Sequence, residues 1–238
     1  MDKEFTVTEH LDELRKRIIF ALVSVIATTL ITIPFSSDLL QFLKIPAAGR
    51  IERLVYFGPE EAFLIYMRIS LTAGIVLAFP VIIYQVWAFL SPAIGMRFKR
   101  YASLFVTLVS FVFFLGCVFA YTILLPAALR FLLTMGAGQL EPVISATRYI
   151  AFVTGFVLAC GLVFEMPVAS FFLTRMGLIS AALLRKKFLY AVVVILIAAA
   201  VITPTGDAFN MLMLAVPMLL LYEVSIWVSA IAGKREAL

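Results

Sequence analysis

Along this 238-residue chain, apolar residues gather into long blocks separated by short stretches in which the charges collect. A helix needs about 20 consecutive apolar residues to cross the roughly 30 Å of hydrocarbon in a bilayer. Blocks that meet or approach this length lie near residues 18–34, 62–90, 102–125, 149–174, 188–202 and 211–230. The pattern therefore predicts an all-α, polytopic membrane protein with six transmembrane helices. A short amino-terminal segment, 1–17, precedes the first span, and one membrane domain covers 1–238.

The spans are unequal. The second block offers about 29 residues and calls for tilt or an extension past the membrane, whereas the fifth has about 15, or roughly 22 Å of helix. The fifth and sixth spans are thus expected to thin the bilayer locally. Pro80, Pro167 and Pro217 fall inside the second, fourth and sixth blocks, where a missing N–H tends to bend a helix. Such bends either serve packing or give the bundle a concave face. Between spans, residues 35–61 predict a short interfacial helix followed by irregular chain. Residues 126–148 predict a short helix broken at Gly136 and Gly138, then a cap leading into the fourth span.

Composition agrees with a membrane protein: 64% of residues are hydrophobic and 14% charged, against about 45–50% and 25% in soluble domains. One histidine and two cysteines supply little for metal or redox chemistry. Cys117 and Cys160 lie in apolar runs and read as small hydrophobes. The first apolar block starts only after Arg17 and lacks a small-residue cleavage pattern, so the first span is expected to be retained. Neither an inverted nor a parallel internal repeat is visible.

Charge sets the orientation. Thirteen Lys and Arg, among them Arg15 to Arg17, Arg97 to Arg100 and Arg185 to Lys187, flank the spans on one side, and five lie on the other. By the positive-inside rule both termini are cytoplasmic, as an even number of spans requires. The net charge of +5 reads as topology and calls for no nucleic-acid partner.

A few polar residues carry candidate chemistry. Glu165 falls near the middle of the fourth block, where an acid costs at least about 2.5–3.5 kcal/mol on insertion scales. It is either a functional group or an interhelical hydrogen bond that glues the bundle. Arg68, inside the second block, can snorkel to the interface or pair with Glu60 or Glu61. Asp207 precedes the sixth block as a possible helix cap, and Glu223 lies near that block's inner end; either can be structural.

The stretch "EHLDELRKRIIF", Glu9 to Phe20, is unusual in setting three acids at a membrane edge. With Thr8 as the N-cap, Glu9, Asp12 and Glu13 would occupy the first turns of a helix whose dipole favours negative charge. Asp12–Lys16 and Glu13–Arg17 would then form i,i+4 pairs. That makes a solvated helix face. Alternatively, a carboxylate such as Glu13 awaits a cationic ligand, since it accepts a guanidinium fork and distinguishes it from an ammonium.

Read in order, "HLDELRKRI", "PEEAFLIYMR", "FPVIIYQVWAFLSPAI", "FEMP", "ITPTGDAF" and "VPMLLLYE" resemble the successive signatures of the TatC family, the receptor subunit of the twin-arginine translocase. The resemblance runs through nearly the whole chain. It implies a glove-shaped, kinked six-helix bundle in the bacterial inner membrane. It implies a transport component rather than an enzyme, one that needs no cofactor. It further implies binding of the twin-arginine signal peptides of folded precursors, recruitment of single-span TatA- and TatB-type subunits, self-association in a larger complex, and dependence on the proton-motive force. On matching positions the family's signal-binding acid falls on Glu13, beside Arg15 and Arg17, with Glu9 and Asp12 nearby. Its intramembrane acid falls on Glu165, where it would meet a polar residue of a partner's span.

Two positions depart from the family pattern. The first cytoplasmic loop usually ends Pro-x-Leu-x-x-x-Glu-Arg, but here it reads "PAIGMRFKR", with Phe98 in place of the second signal-binding Glu. A basic loop without an acid should repel a basic ligand, so Glu9 or Asp12 substitutes, or binding is weaker, or the signal differs. Met211 stands where many relatives carry Gln. The rival expectation from another class is a six-span secondary transporter or proton channel with Glu165 as coupling acid. A transporter would be expected to show paired broken helices around a polar site, and that only one strong midplane ionisable residue is visible weakens this reading.

Overall fold

The computed structural model describes residues 7–47, 51, 53–94, 102–134, 143–203 and 207–234, and is mostly helical. In chain order the helices are α1 (Val7–Thr32), α2 (Ser36–Lys44), α3 (Pro59–Ile94), α4 (Ala102–Phe119), α5 (Leu125–Thr134), α6 (Ala146–Phe164), α7 (Met166–Arg175), α8 (Ala181–Lys186), α9 (Phe188–Ile202) and α10 (Ala208–Lys234). Two short strands, β1 (Leu54–Val55) and β2 (Ile144–Ser145), pair in parallel. Among the described residues, five helical stretches are long and apolar enough to cross a membrane: His10–Ala47, Pro59–Phe89, Ser103–Thr134, Ala146–Arg175 and Ala208–Gly233. α9, with 15 residues, is a shorter apolar helix.

The chain forms two compact units, Met1–Leu39 with Tyr66–Phe111, and Leu40–Ile65 with Val112–Leu238. In the first unit α1 and α3 run antiparallel in a fixed register. Arg17 bonds Gln85, Thr28 donates to the Gly74 carbonyl at 2.8 Å, and Thr32 donates to the Ser70 carbonyl at 2.8 Å. From Arg17 to Thr32 and from Gln85 back to Ser70 the chain advances the same number of residues, so the two helices stay in step over about four turns. Hydroxyls that bond a neighbour's carbonyl bring the backbones close, and Gly74 completes the approach: a Cβ there would lie 2.8 Å from the Thr29 backbone.

The second unit is built around α6, whose Ile150, Val153, Phe156 and Cys160 are fully buried. Two tyrosine hydroxyls, Tyr121 and Tyr149, donate to the carbonyls of Phe42 and Leu43, which the end of α2 leaves without helical donors. Thr147 donates to the Glu61 carboxylate at 2.8 Å, next to the β1–β2 pair. The segments read as irregular connections are therefore tied to the bundle by specific bonds. The α10 helix lies along α7 with a row of buried hydroxyls between them: Ser170 donates to the Ser225 carbonyl at 3.0 Å, and Thr174 to the Ser229 hydroxyl at 2.9 Å.

The prolines act unequally. Pro80 and Pro217 sit inside helices that continue without interruption, α3 and α10. Only Pro167 coincides with a break: α6 stops at Phe164, and Pro167 occupies the first turn of α7, where its missing N–H costs no helical bond. The fourth apolar block is thus two helices rather than one. A further irregularity, a π-turn over Ala120–Leu124, ends two residues before Pro126; there the Leu125 N–H reaches back to the Ala120 carbonyl.

Candidate functional site

The amino-terminal acids lie on the first turns of α1. The helix begins at Val7, so Thr8 sits inside it rather than capping it. The backbone of Glu9 is helical, while its side chain lies outside the described residues. Asp12 pairs with Arg15 at 3.4 Å instead of with Lys16; both are well exposed, and the i,i+3 spacing brings this pair together as readily as i,i+4 would the other. Glu13 and Arg17 form the expected i,i+4 pair at 3.1 Å, with side chains 25% and 31% exposed.

That second pair is braced from α3. One guanidinium nitrogen of Arg17 donates to Glu13 Oε1 and the other to Gln85 Oε1, each at 3.1 Å. One turn further along α3, Phe89 stacks on His10 at 4.5 Å between ring centroids. His10, Glu13 and Arg17 share one helical face, as do Gln85 and Phe89 on α3, so the acid is held at a lined contact between two helices. Gln85 is the residue that reading the sequence missed. Its signal was present, an isolated amide in "VIIYQVWAF", but its partner is remote in the chain. The loop position Phe98, with Arg97, Lys99 and Arg100, lies outside the described residues.

In the second unit, Glu165 occupies the single-residue break between α6 and α7. Its N–H bonds the Leu162 carbonyl at 3.1 Å, and its own carbonyl accepts from Ala169 at 2.8 Å, which restarts the helix. The carboxyl group is half-buried beside the Phe113 backbone, and its Oε1 is shut away from solvent with no hydrogen-bond partner. Asp207 caps α10: its carboxylate accepts from the Asn210 N–H and from the Asn210 side-chain amide, both at 2.8 Å. Glu223 is half-buried within α10, and Arg68 is exposed on α3. No group of three or more His, Cys, Asp or Glu that could hold a metal ion occurs among the described residues.

Apolar helices long enough to cross a bilayer, joined by hydroxyl–carbonyl bonds, with ion pairs at a helix edge, a carboxylate cap and one acid at a helix break, define a multi-pass integral membrane protein. Comparison with known proteins makes this specific. Residues 9–217 match the family of the Sec-independent protein translocase protein (TatC), and the chain belongs to that family. It is 34% identical over 235 residues to the TatC protein of Carboxydothermus hydrogenoformans, covering 99% of this chain and 97% of that one. It is 36% identical to the TatC protein of Aquifex aeolicus, covering 97% of each. The chloroplastic relative from Arabidopsis thaliana is 34% identical, and 68% of its length is covered. A crystal structure of the twin-arginine translocase receptor TatC superposes with a TM-score of 0.85 at 36% identity, covering 94% of this chain and 99% of that one. The protein is therefore a membrane component of a protein translocase, from a family of transport subunits rather than of catalysts.

Proposed function

We propose that this chain is the receptor that binds the twin-arginine signal peptides of folded precursors at the start of α1, and that it recruits single-span TatA- and TatB-type subunits through Glu165. The observation that carries the first part is the Glu13 carboxylate, which holds a guanidinium at 3.1 Å in a partly sheltered position beside a second helix. A group so placed accepts an arginine fork and distinguishes it from the point charge of lysine. Asp12 and Glu9 add negative charge on the same turns of α1, and Arg15 and Arg17 order the carboxylates until the ligand arrives. Glu165 supports the second part, because its unpartnered oxygen is a ready acceptor for a polar group carried on a partner's span. Asp207 and Glu223 serve α10 itself.

In this reading the chain crosses the bacterial inner membrane six times, with both termini cytoplasmic, and works within a larger assembly powered by the proton-motive force. The test is binding of a fluorescent twin-arginine signal peptide to the purified protein in lipid nanodiscs, against the same peptide with two lysines. Selective binding that disappears in Glu13→Ala supports the receptor role. Equal binding of both peptides by the wild-type protein would place recognition in another subunit.

A further inference from the structure

Far along the chain from the amino-terminal acids, α8 and α10 enclose a groove of about 450 Å³. The hydroxyl of Tyr222 pins the last turn of α8 to α10 through a 2.8 Å bond to the Leu184 carbonyl, and this fixes the two walls. Ile226, almost fully buried, forms the floor, while Trp227 and Ile231 flank it and remain 68% and 65% exposed. Ala182 and Ala230 keep the walls low. At the polar end stands Arg185, exposed, in the last turn of α8, and the ion pairs of the described residues lie elsewhere, at Asp12–Arg15 and Glu13–Arg17. The exposed Lys186 and Lys187 follow it, and the groove lining contains no acid.

Depth agrees with chemistry. Trp227 lies seven residues before Lys234, the end of α10, or about 10 Å along the axis, which is headgroup level for a helix that leaves the membrane at a lysine. An indole and an isoleucine open to hydrocarbon, beneath a guanidinium that forms no ion pair among the described residues, match an amphiphile with an acyl chain and an anionic head. We propose that this groove binds an anionic phospholipid of the bilayer, with the phosphate on Arg185 and the upper acyl chain along Trp227 and Ile231. A partner's transmembrane helix would satisfy the apolar floor but leave Arg185 unmatched, so charge complementarity selects the lipid.

The chain has two tryptophans, Trp87 and Trp227, which makes the site readable by fluorescence. The protein is reconstituted in bilayers carrying brominated phosphatidylglycerol or brominated phosphatidylcholine, and the quenching of Trp227 is taken as the difference between wild type and Trp227→Phe. This difference avoids altering the buried Trp87. Phosphatidylglycerol should be preferred about fivefold, the factor expected for one well-placed basic contact. In Arg185→Gln the preference should fall close to one, while in Lys186→Gln, a neighbour outside the groove, most of it should remain. No preference in the wild type would overturn the proposal. So would equal losses in both variants, which would mean a diffuse surface potential. Quenching that disappears when a single-span partner is added, or at high protein-to-lipid ratio, would assign the groove to a partner helix or to a second copy and overturn it as well.

Discussion

Glu13 and Glu165 are both carboxylates at helix contacts, yet their surroundings set opposite demands. Glu13 is satisfied, bonded to an arginine that Gln85 steadies, so removing its charge frees Arg17 more than it disturbs the fold. Glu13→Gln should therefore weaken twin-arginine peptide binding by about 10- to 100-fold, the equivalent of about 1.5–3 kcal/mol for a charge-assisted hydrogen bond. The amount of protein in the membrane should not change. Titration of labelled peptide against both forms measures this, and unchanged affinity would move the docking acid to Asp12 or Glu9. Glu165 is unsatisfied at Oε1, and a buried polar atom without a partner destabilises the fold that contains it. Glu165→Leu is thus expected to hold or raise the Tm of the purified protein while site-specific cross-linking to a single-span partner falls. A Tm lowered by several degrees with cross-linking intact would make Glu165 a packing bond. The Glu13–Arg17 pair was legible because i,i+4 geometry is local. Gln85, whose contact spans 68 positions of sequence, was not, and the choice of Arg15 over Lys16 by Asp12 turns on side-chain direction that spacing leaves open.

Helix contacts in the first unit depend on what is missing from a side chain. A Cβ added at Gly74 would come within 2.8 Å of the Thr29 Cα and N, backbone atoms that cannot swing aside, so α1 and α3 would have to part. Gly74→Ala should cost about 1–3 kcal/mol by overpacking. It should also loosen the 28–74 and 32–70 bonds that keep the helices in register. Gly155, in the middle of α6, faces open space within 4 Å and provides the control: Gly155→Ala should be neutral in the same thermal assay. If both substitutions proved neutral, the close approach of α1 to α3 would not be contributing to stability. Helices of this kind are the part of the fold most open to sequence reading, because fifteen or more apolar residues in a row mark them, as Phe188–Ile202 shows. Their interruptions are harder to read. Three prolines looked alike in the sequence, and only Pro167 falls at a break, because there Glu165 supplies the turn that ends one helix and begins the next. The β1–β2 pair, two residues per strand, is too short to leave a periodic trace.

For the molecule as a whole, the decisive element is the shortest. Five stretches among the described residues are long enough to span, and an odd number of crossings would put the two termini on opposite sides of the membrane. The basic residues around α8 follow four of these stretches and so share the side of the amino terminus either way, and only if α9 also crosses does the end of α10 join them there, as the positive-inside rule favours. Yet α9 covers only about 22 Å of a hydrocarbon layer of about 30 Å, so its crossing requires a locally thinner bilayer or flanking residues that reach outward. Leu189 and Val201, near its two ends, are 77% and 79% exposed, as expected of a helix that meets lipid over its full length. Single cysteines at position 16, at position 186 and after Lys234, in a chain whose Cys117 and Cys160 are replaced by alanine, decide the matter with a membrane-impermeant maleimide applied to spheroplasts. Protection of all three until the membrane is opened means that α9 crosses, with the bilayer thinned around it or its flanking residues reaching outward. Labelling after Lys234 with protection at 16 and 186 would put the end of α10 opposite α8, which the parallel α7–α10 bonds from Ser170 to Ser225 and from Thr174 to Ser229 and the Tyr222–Leu184 bond do not allow, and it would overturn both the six-span reading and the groove beside Trp227.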